Sequence, residues 1–275
     1  MNKDHRGIPS IPTKRKTNSP FDWHDIGHLS VSTINTWVAC PSAVLYKFAG
    51  GTDGAGPSAW RGSSVETAFE RAMIEPDEPD ELYHDIALRD FDGRNAKGFD
   101  WAKIDKERNH VTDYVNAGLS FFKKLGTPTS YQKKILVEFD ELEVPFVGYI
   151  DFEFGEKGTK DHQIRDCKTS IRRMSKLSDS HCRQLALYGK GAGDSDTQLW
   201  IDSVTRHEIV SLRLSKPEPY LKDLLNKALG LRRFLSTSQD MNELLQMIQP
   251  NYDDWMWSNA EARKKAKVLW EKKIG

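Results

Sequence analysis

The sequence predicts an α/β chain: a central mixed β-sheet flanked by helices, with helical additions at both ends. Three observations predict it. Apolar residues recur at helical spacing before residue 126 and again after residue 216. Between about 133 and 154 they alternate with period two and are rich in Val, Ile and Phe. A helical stretch then separates the third strand-like run from the fourth, which is the pattern of a sheet with parallel and antiparallel neighbours.

The elements follow in order. Residues 1–28 are rich in Pro, Lys, Asn and Ser and read as a mobile arm before a single domain over 29–275. "LSVSTINTWVACPSAVLYKF" opens with Ser30 and Ser32 as candidate caps and continues at helical spacing until Pro41 breaks or kinks it. "GGTDGAGPS" is a loop, and "AWRGSSVETAFERAM" is a second helix. The acidic, Pro-rich stretch around "EPDEPDE" reads as a loop, and 102–125 as one long helix closed by Gly126. This helical part, 29–126, precedes a core over 130–215. "KKILVEFDELEVPFVGYIDFEF" gives two strands joined by a tight turn near Asp140–Glu143, and "HQIRDCKTS" gives a third. "SDSHCRQLALYGKGAG" is a helix capped by Ser178 or Ser180, with a glycine at its end. "TQLWIDSVT" and "RHEIVSLRL" are strands four and five. The remainder, 216–275, is helical over 217–247 and 258–272.

Composition narrows the class. With 275 residues, the chain can bury one large core, or a core with a small helical addition. No apolar run is long enough to span a bilayer, and "MNKDHRGIPSIPTKRK" lacks the apolar segment of a secretory signal. The three cysteines, Cys40, Cys167 and Cys182, form no CxxC pair, so a reduced, cytoplasmic setting is expected. The formal net charge is zero, which removes the global basic signature of a nucleic-acid binder. Local patches remain, basic at Lys14–Lys16 and Arg263–Lys267 and acidic at Glu75–Glu81.

The chemistry concentrates in "GYIDFEFGEKGTKDHQIRDCKTS". Side chains alternate along a strand, so Asp166 and Lys168 share one face and Cys167 takes the other. If the two strands are antiparallel neighbours, Asp151 approaches Asp166. Two close carboxylates repel unless one keeps its proton or a cation lies between them. Oxygen ligands suit a hard ion, Mg2+ or Mn2+, and the Cys167 backbone carbonyl could add another oxygen. Lys168 beside such an ion could orient or help deprotonate water, or stabilise charge on a phosphate. Its pKa would be pushed down by the ion and up by the carboxylates. The plain alternative is a surface hairpin with an Asp–Lys pair. Gln184 and Tyr188 are four apart and line one helix face, where they could grip a phosphate or the lysine; alternatively Tyr188 is a core aromatic beside Leu185.

Over residues 29–215 the chain resembles the PD-(D/E)xK nuclease superfamily, in its RecB-like, Cas4-like and phage exonuclease branch. The resemblance rests on "GYID", "DCKT" and "QLALY", preceded by "RGSSVETAFE", "WVACPSAVLYKF" and an acidic residue, Glu138, in "LVEFD", all in the expected order. It implies a restriction-endonuclease-like core. It also implies catalytic roles for Glu66, Asp151, Asp166, Lys168, Gln184 and Tyr188, with Glu66, Asp151, Asp166 and the Cys167 carbonyl as ligands for one or two Mg2+ or Mn2+ ions. The Cas4-like branch usually has His where this chain has Glu66; the other reading of Glu66 is an ion-pair partner for Arg61 or Arg71. The branch often carries an iron–sulfur cluster on four cysteines. Cys40 matches one position, but "PNYDDWMWSNAEARKKAKVLW" has no cysteine, so no cluster is expected, and Trp255 and Trp257 are expected to pack in that region.

The implied activity is metal-dependent hydrolysis of DNA, most simply by an exonuclease of DNA recombination, repair or phage DNA processing, with DNA as partner and no membrane. The alternatives are a structure-specific endonuclease of the same superfamily and a non-catalytic DNA-binding module. The resemblance leaves homo-oligomerisation open. Outside this set, His24 and His28 with two Asp could bind a transition metal but read more simply as ordinary polar loop residues, and Trp60, Arg61 and Lys123 are candidates for contact with a single strand, Trp60 being more simply a core residue.

Overall fold

A computed structural model describes residues 18–52, 55–94 and 99–271 of the chain. Five strands form one mixed sheet in the order β1-β2-β3-β4-β5: β1 (Ser130–Val137), β2 (Phe146–Phe154), β3 (Gln163–Thr169), β4 (Gln198–Val204) and β5 (Ile209–Leu214). β3 and β4 are parallel and the other neighbours antiparallel. The parallel pair requires a crossover, supplied by α8 (Asp179–Ala192). Ser178 caps α8 by accepting from the His181 N–H, and Gly193 ends it with a left-handed backbone at φ 67°.

Helices cover both faces. On one, α8 and α9 (Glu218–Leu235) bury Leu185, Leu187, Leu224 and Leu231 against Ile135, Ile150, Ile164 and Ile201. On the other, α4 (Pro57–Ile74), α5 (Asp80–Gly93) and α7 (Val111–Leu125) enclose Phe69, Tyr83, Phe122 and Phe152. A third cluster ties α3 (Pro41–Phe48) to α10 (Met241–Met247) and α11 (Ala260–Glu271). α6 (Trp101–Arg108) packs beside α4.

Several sequence expectations need correction. Residues 1–17 lie outside the described residues, but 18–28 are not an arm. They form α1 (Pro20–Trp23), with a capping box at Ser19 and Asp22, and they bury Phe21 and Ile26 in the core. Leu29 then pairs in parallel with Phe146. The acidic loop is shorter than expected: Asp80 and Glu81 begin α5, where carboxylates complement the positive helix end. The single helix expected over 102–125 is two, α6 and α7, separated at Asn109 and His110. The helical run 217–247 is likewise α9 and α10, with Asp240 capping the second. Pro41 does divide its segment, into α2 (Val31–Ala39) and α3.

Trp60 is a core residue, packed edge-on against Phe91 and Phe99. Trp257 is buried with Tyr46, Tyr252 and Trp270 around Cys40, whereas Trp255 is 74% exposed and does not join them. Cys40, Cys167 and Cys182 are free, buried, and in three different clusters.

Candidate active site

The ladder between β2 and β3 is short. Only Phe152–Phe154 pair with Gln163–Arg165, after which the strands part. β3 continues alone along β4 through Thr169. Asp151 and Asp166 are the first residues past the parting point, so the loss of pairing opens a notch between their carboxylates. The Cys167 N–H donates to Asp151 Oδ2 at 3.0 Å, and the side chain thus replaces the missing strand carbonyl.

Side chains from five elements meet at this notch. Lys168 Nζ lies 2.6 Å from Asp166 Oδ2. Gln184, from α8, donates to Asp166 Oδ1 at 2.9 Å and to the Tyr188 hydroxyl at 2.7 Å. From α4, Glu66 accepts a hydrogen bond from Gln132 of β1, and the same Gln132 amide nitrogen donates to Asp151 Oδ1 at 3.1 Å. Glu66 is therefore not the partner of Arg61 or Arg71, which pair with Glu107 and Glu75. The α4 helix comes close because residue 62 is glycine. A Cβ there would lie 3.1 Å from Thr169 Oγ1.

Burial and repulsion govern the charges. Burial raises the Glu66 pKa to about 7; the Gln132 hydrogen bond and the charge of Lys168 oppose the rise, and Asp166 adds to it. Asp151 is pushed well above the usual carboxylate range, by burial first and then by Asp166. Burial alone would lower the Lys168 pKa, but Asp166 and then Asp151 outweigh it and raise it. The Tyr188 hydroxyl is raised by burial and by the same two carboxylates.

Among the described residues no three His, Cys, Asp or Glu side chains form a ready cage for an ion. The donor set nevertheless fits a hard cation. Three carboxylates share one charge neighbourhood, and Asp166 Oδ2 is buried without an aligned hydrogen bond even with Lys168 beside it. An added positive charge would relieve the repulsion that raises Asp151 and Glu66.

The structure thus brings together Glu66, Asp151, Asp166, Cys167, Lys168, Gln184 and Tyr188. It leaves Glu138 out: that residue is exposed in the β1–β2 connection. His24 is also elsewhere, buried with Nε2 on the Leu235 and Ser238 carbonyls. Lys123 pairs with Asp80. Two residues at the site were not foreseen. Gln132 bridges two carboxylates and has a left-handed backbone at φ 47°, but in "SYQKKILV" it reads as an ordinary strand residue. His181 lies one turn before Gln184, its Nδ1 buried without a hydrogen-bond partner. Its pKa is lowered by burial and then by Lys168. The i, i+3, i+7 spacing of His181, Gln184 and Tyr188 is the one signal that could have found it.

Comparison with curated proteins gave no match. A model of the PD-(D/E)XK nuclease superfamily matches residues 28–266. That match spans most of the chain, and with a mixed sheet that parts at its two aspartates it shows that the chain belongs to the PD-(D/E)XK nuclease superfamily.

Proposed function

We propose that this nuclease-superfamily chain is a Mg2+- or Mn2+-dependent exonuclease acting on DNA. The observation that carries the reading is the convergence of Glu66, Asp151, Asp166 and Lys168 on the notch where β2 and β3 part. Glu66, Asp151, Asp166 and the Cys167 carbonyl would hold the ion. When bound, such an ion supplies Lewis-acid stabilisation of phosphate charge and acidifies water.

The chain's own residues divide the remaining work. Lys168, kept cationic by Asp166 and Asp151, serves as a fixed positive charge toward phosphate oxygens. Gln184 orients Asp166 and, with Tyr188, offers hydrogen-bonding groups to the phosphate. Gln132 keeps Glu66 and Asp151 aligned. Action at DNA ends, and a place in recombination, repair or phage DNA processing, follow from the resemblance of "GYID", "DCKT" and "QLALY" to exonuclease sequences.

The test uses purified protein with end-labelled linear single- and double-stranded DNA beside closed circular DNA, in Mg2+, Mn2+ or EDTA. Loss of linear DNA alone, abolished by EDTA, is expected. Cutting of the closed circle would replace the exonuclease reading with an endonuclease. No cutting of any substrate, with metal bound, would overturn the enzymatic reading.

A further inference from the structure

The face of the β1–β2 hairpin turned away from α8 is open next to the site. Over this stretch Ile135, Gly148 and Ile150 turn toward α8; a Cβ on Gly148 would lie 3.1 Å from the Tyr188 ring. Lys134 and Tyr149 are cross-strand partners and take the opposite face. Tyr149 is 50% exposed. The pair stands two residues along from Gln132 and Asp151, about 7 Å at the strand rise. α4 and α7 cover the sheet over Tyr131 and Phe152. The Lys134–Tyr149 pair lies beyond those residues.

The charges that act on His28 are of one sign. The Leu29–Phe146 bridge brings the segment before α2 against β2. His28 has a lowered pKa, from burial first and then from the charges of Lys47 and Lys134. Neither lysine has an ion-pair partner among the described residues. In a chain of zero net charge, this is an uncompensated basic strip beside an acidic centre. A cavity of about 230 Å³ is lined by Tyr149 together with Ser30, Asn35, Gln184 and Tyr188.

We propose that Tyr149, Lys134, Lys47 and His28 form the track of a single-stranded DNA segment, one base stacked on Tyr149 and the backbone phosphates on the two lysines. The inference rests on the nuclease reading for its choice of DNA. The chemistry favours one strand over a duplex, because an isolated exposed ring gains its stacking only from an unstacked base, and the lysines can then track a flexible backbone.

Binding is read by fluorescence anisotropy of a labelled oligothymidylate and of a blunt duplex on the full chain in EDTA, where no metal-dependent cleavage interferes. Tyr149→Ala is expected to weaken single-strand binding by about tenfold and duplex binding by less than about twofold. Tyr149→Phe is expected to keep the affinity, showing that the ring and not the fold is responsible. Lys47→Ala with Lys134→Ala is expected to reduce the slope of log affinity against log salt by roughly 1.4, about 0.7 for each lost phosphate contact. Unchanged single-strand affinity in Tyr149→Ala, equal loss on both substrates, or an unchanged salt slope in the double variant would each overturn the track. The cleavage assay separates this from the function itself. A chain that cuts DNA with all strip variants unaltered keeps the nuclease reading and loses the track. A chain that binds single strands through the strip yet cuts nothing keeps the track and loses the nuclease reading.

Discussion

Lys168 sits 2.6 Å from Asp166 and is held in its charged form by that carboxylate and by Asp151. A lysine so held acts through its charge, so Lys168→Ala is expected to reduce cleavage by roughly a hundredfold or more while leaving DNA affinity near that of the natural chain. Gel-based cleavage and anisotropy measured side by side check both halves. Glu66 gives a second prediction. Its pKa is about 7 in the folded chain against an ordinary value of 4.5. Between those values the folded chain keeps a proton that the unfolded chain has released, so this residue's contribution to stability falls as pH rises through that window. Asp151, also raised, acts in the same sense. In EDTA, the thermal midpoint of Glu66→Gln should therefore decline less than that of the natural chain between about pH 4.5 and about pH 7. Equal declines would show that Glu66 does not titrate there. The sequence made the acidic members of this site legible because "GYID" and "DCKT" carry their chemistry in the residue types themselves. Gln132 and His181 were not legible: a strand glutamine and a helix histidine acquire their roles only from what the fold sets opposite them.

At the scale of elements, the site depends on how α4 is held against β3. Arg61 is buried, paired with Glu107 of α6, stacked 4.2 Å over the Tyr114 ring of α7, and 3.3 Å from Thr169 Oγ1 at the end of β3. Removing it leaves Glu107 buried without its partner, so Arg61→Ala is expected to cost about 3–5 kcal/mol. Urea unfolding measures this, and a loss below about 1 kcal/mol would show that the pair is dispensable. The strands and α8 were readable in the sequence because alternation, a serine cap and a terminal glycine all agreed. The helices before the sheet were harder. The acidic run disguised the first turn of α5, and nothing local distinguishes Asn109–His110 from the middle of a continuous helix. Both helices pack against α4 and α5, and α7 in addition reaches β4 and β5 of the sheet.

Over the whole molecule, residues 18–28, expected to belong to a mobile arm, are part of the core. Phe21 is completely buried and α1 packs on α9, more than 190 residues away in the chain. Phe21→Ala is expected to cost about 3–5 kcal/mol, measured by chemical denaturation. A cost under about 1 kcal/mol would return 18–28 to the status of an arm. Composition could not reveal this, because polar residues dominate the window while Phe21 and Ile26 supply its apolar burial. The third cluster has a parallel consequence for synthesis. Tyr46 and Cys40 are sealed by Trp257 and Trp270, and the Trp270 indole N–H donates to the Leu245 and Ile248 carbonyls. On the ribosome, the α3 surface must therefore wait for more than 200 residues of nascent chain before its cover arrives. During that interval the Cys40 thiol stands open to reagents, which makes its alkylation a clock for the last step of folding.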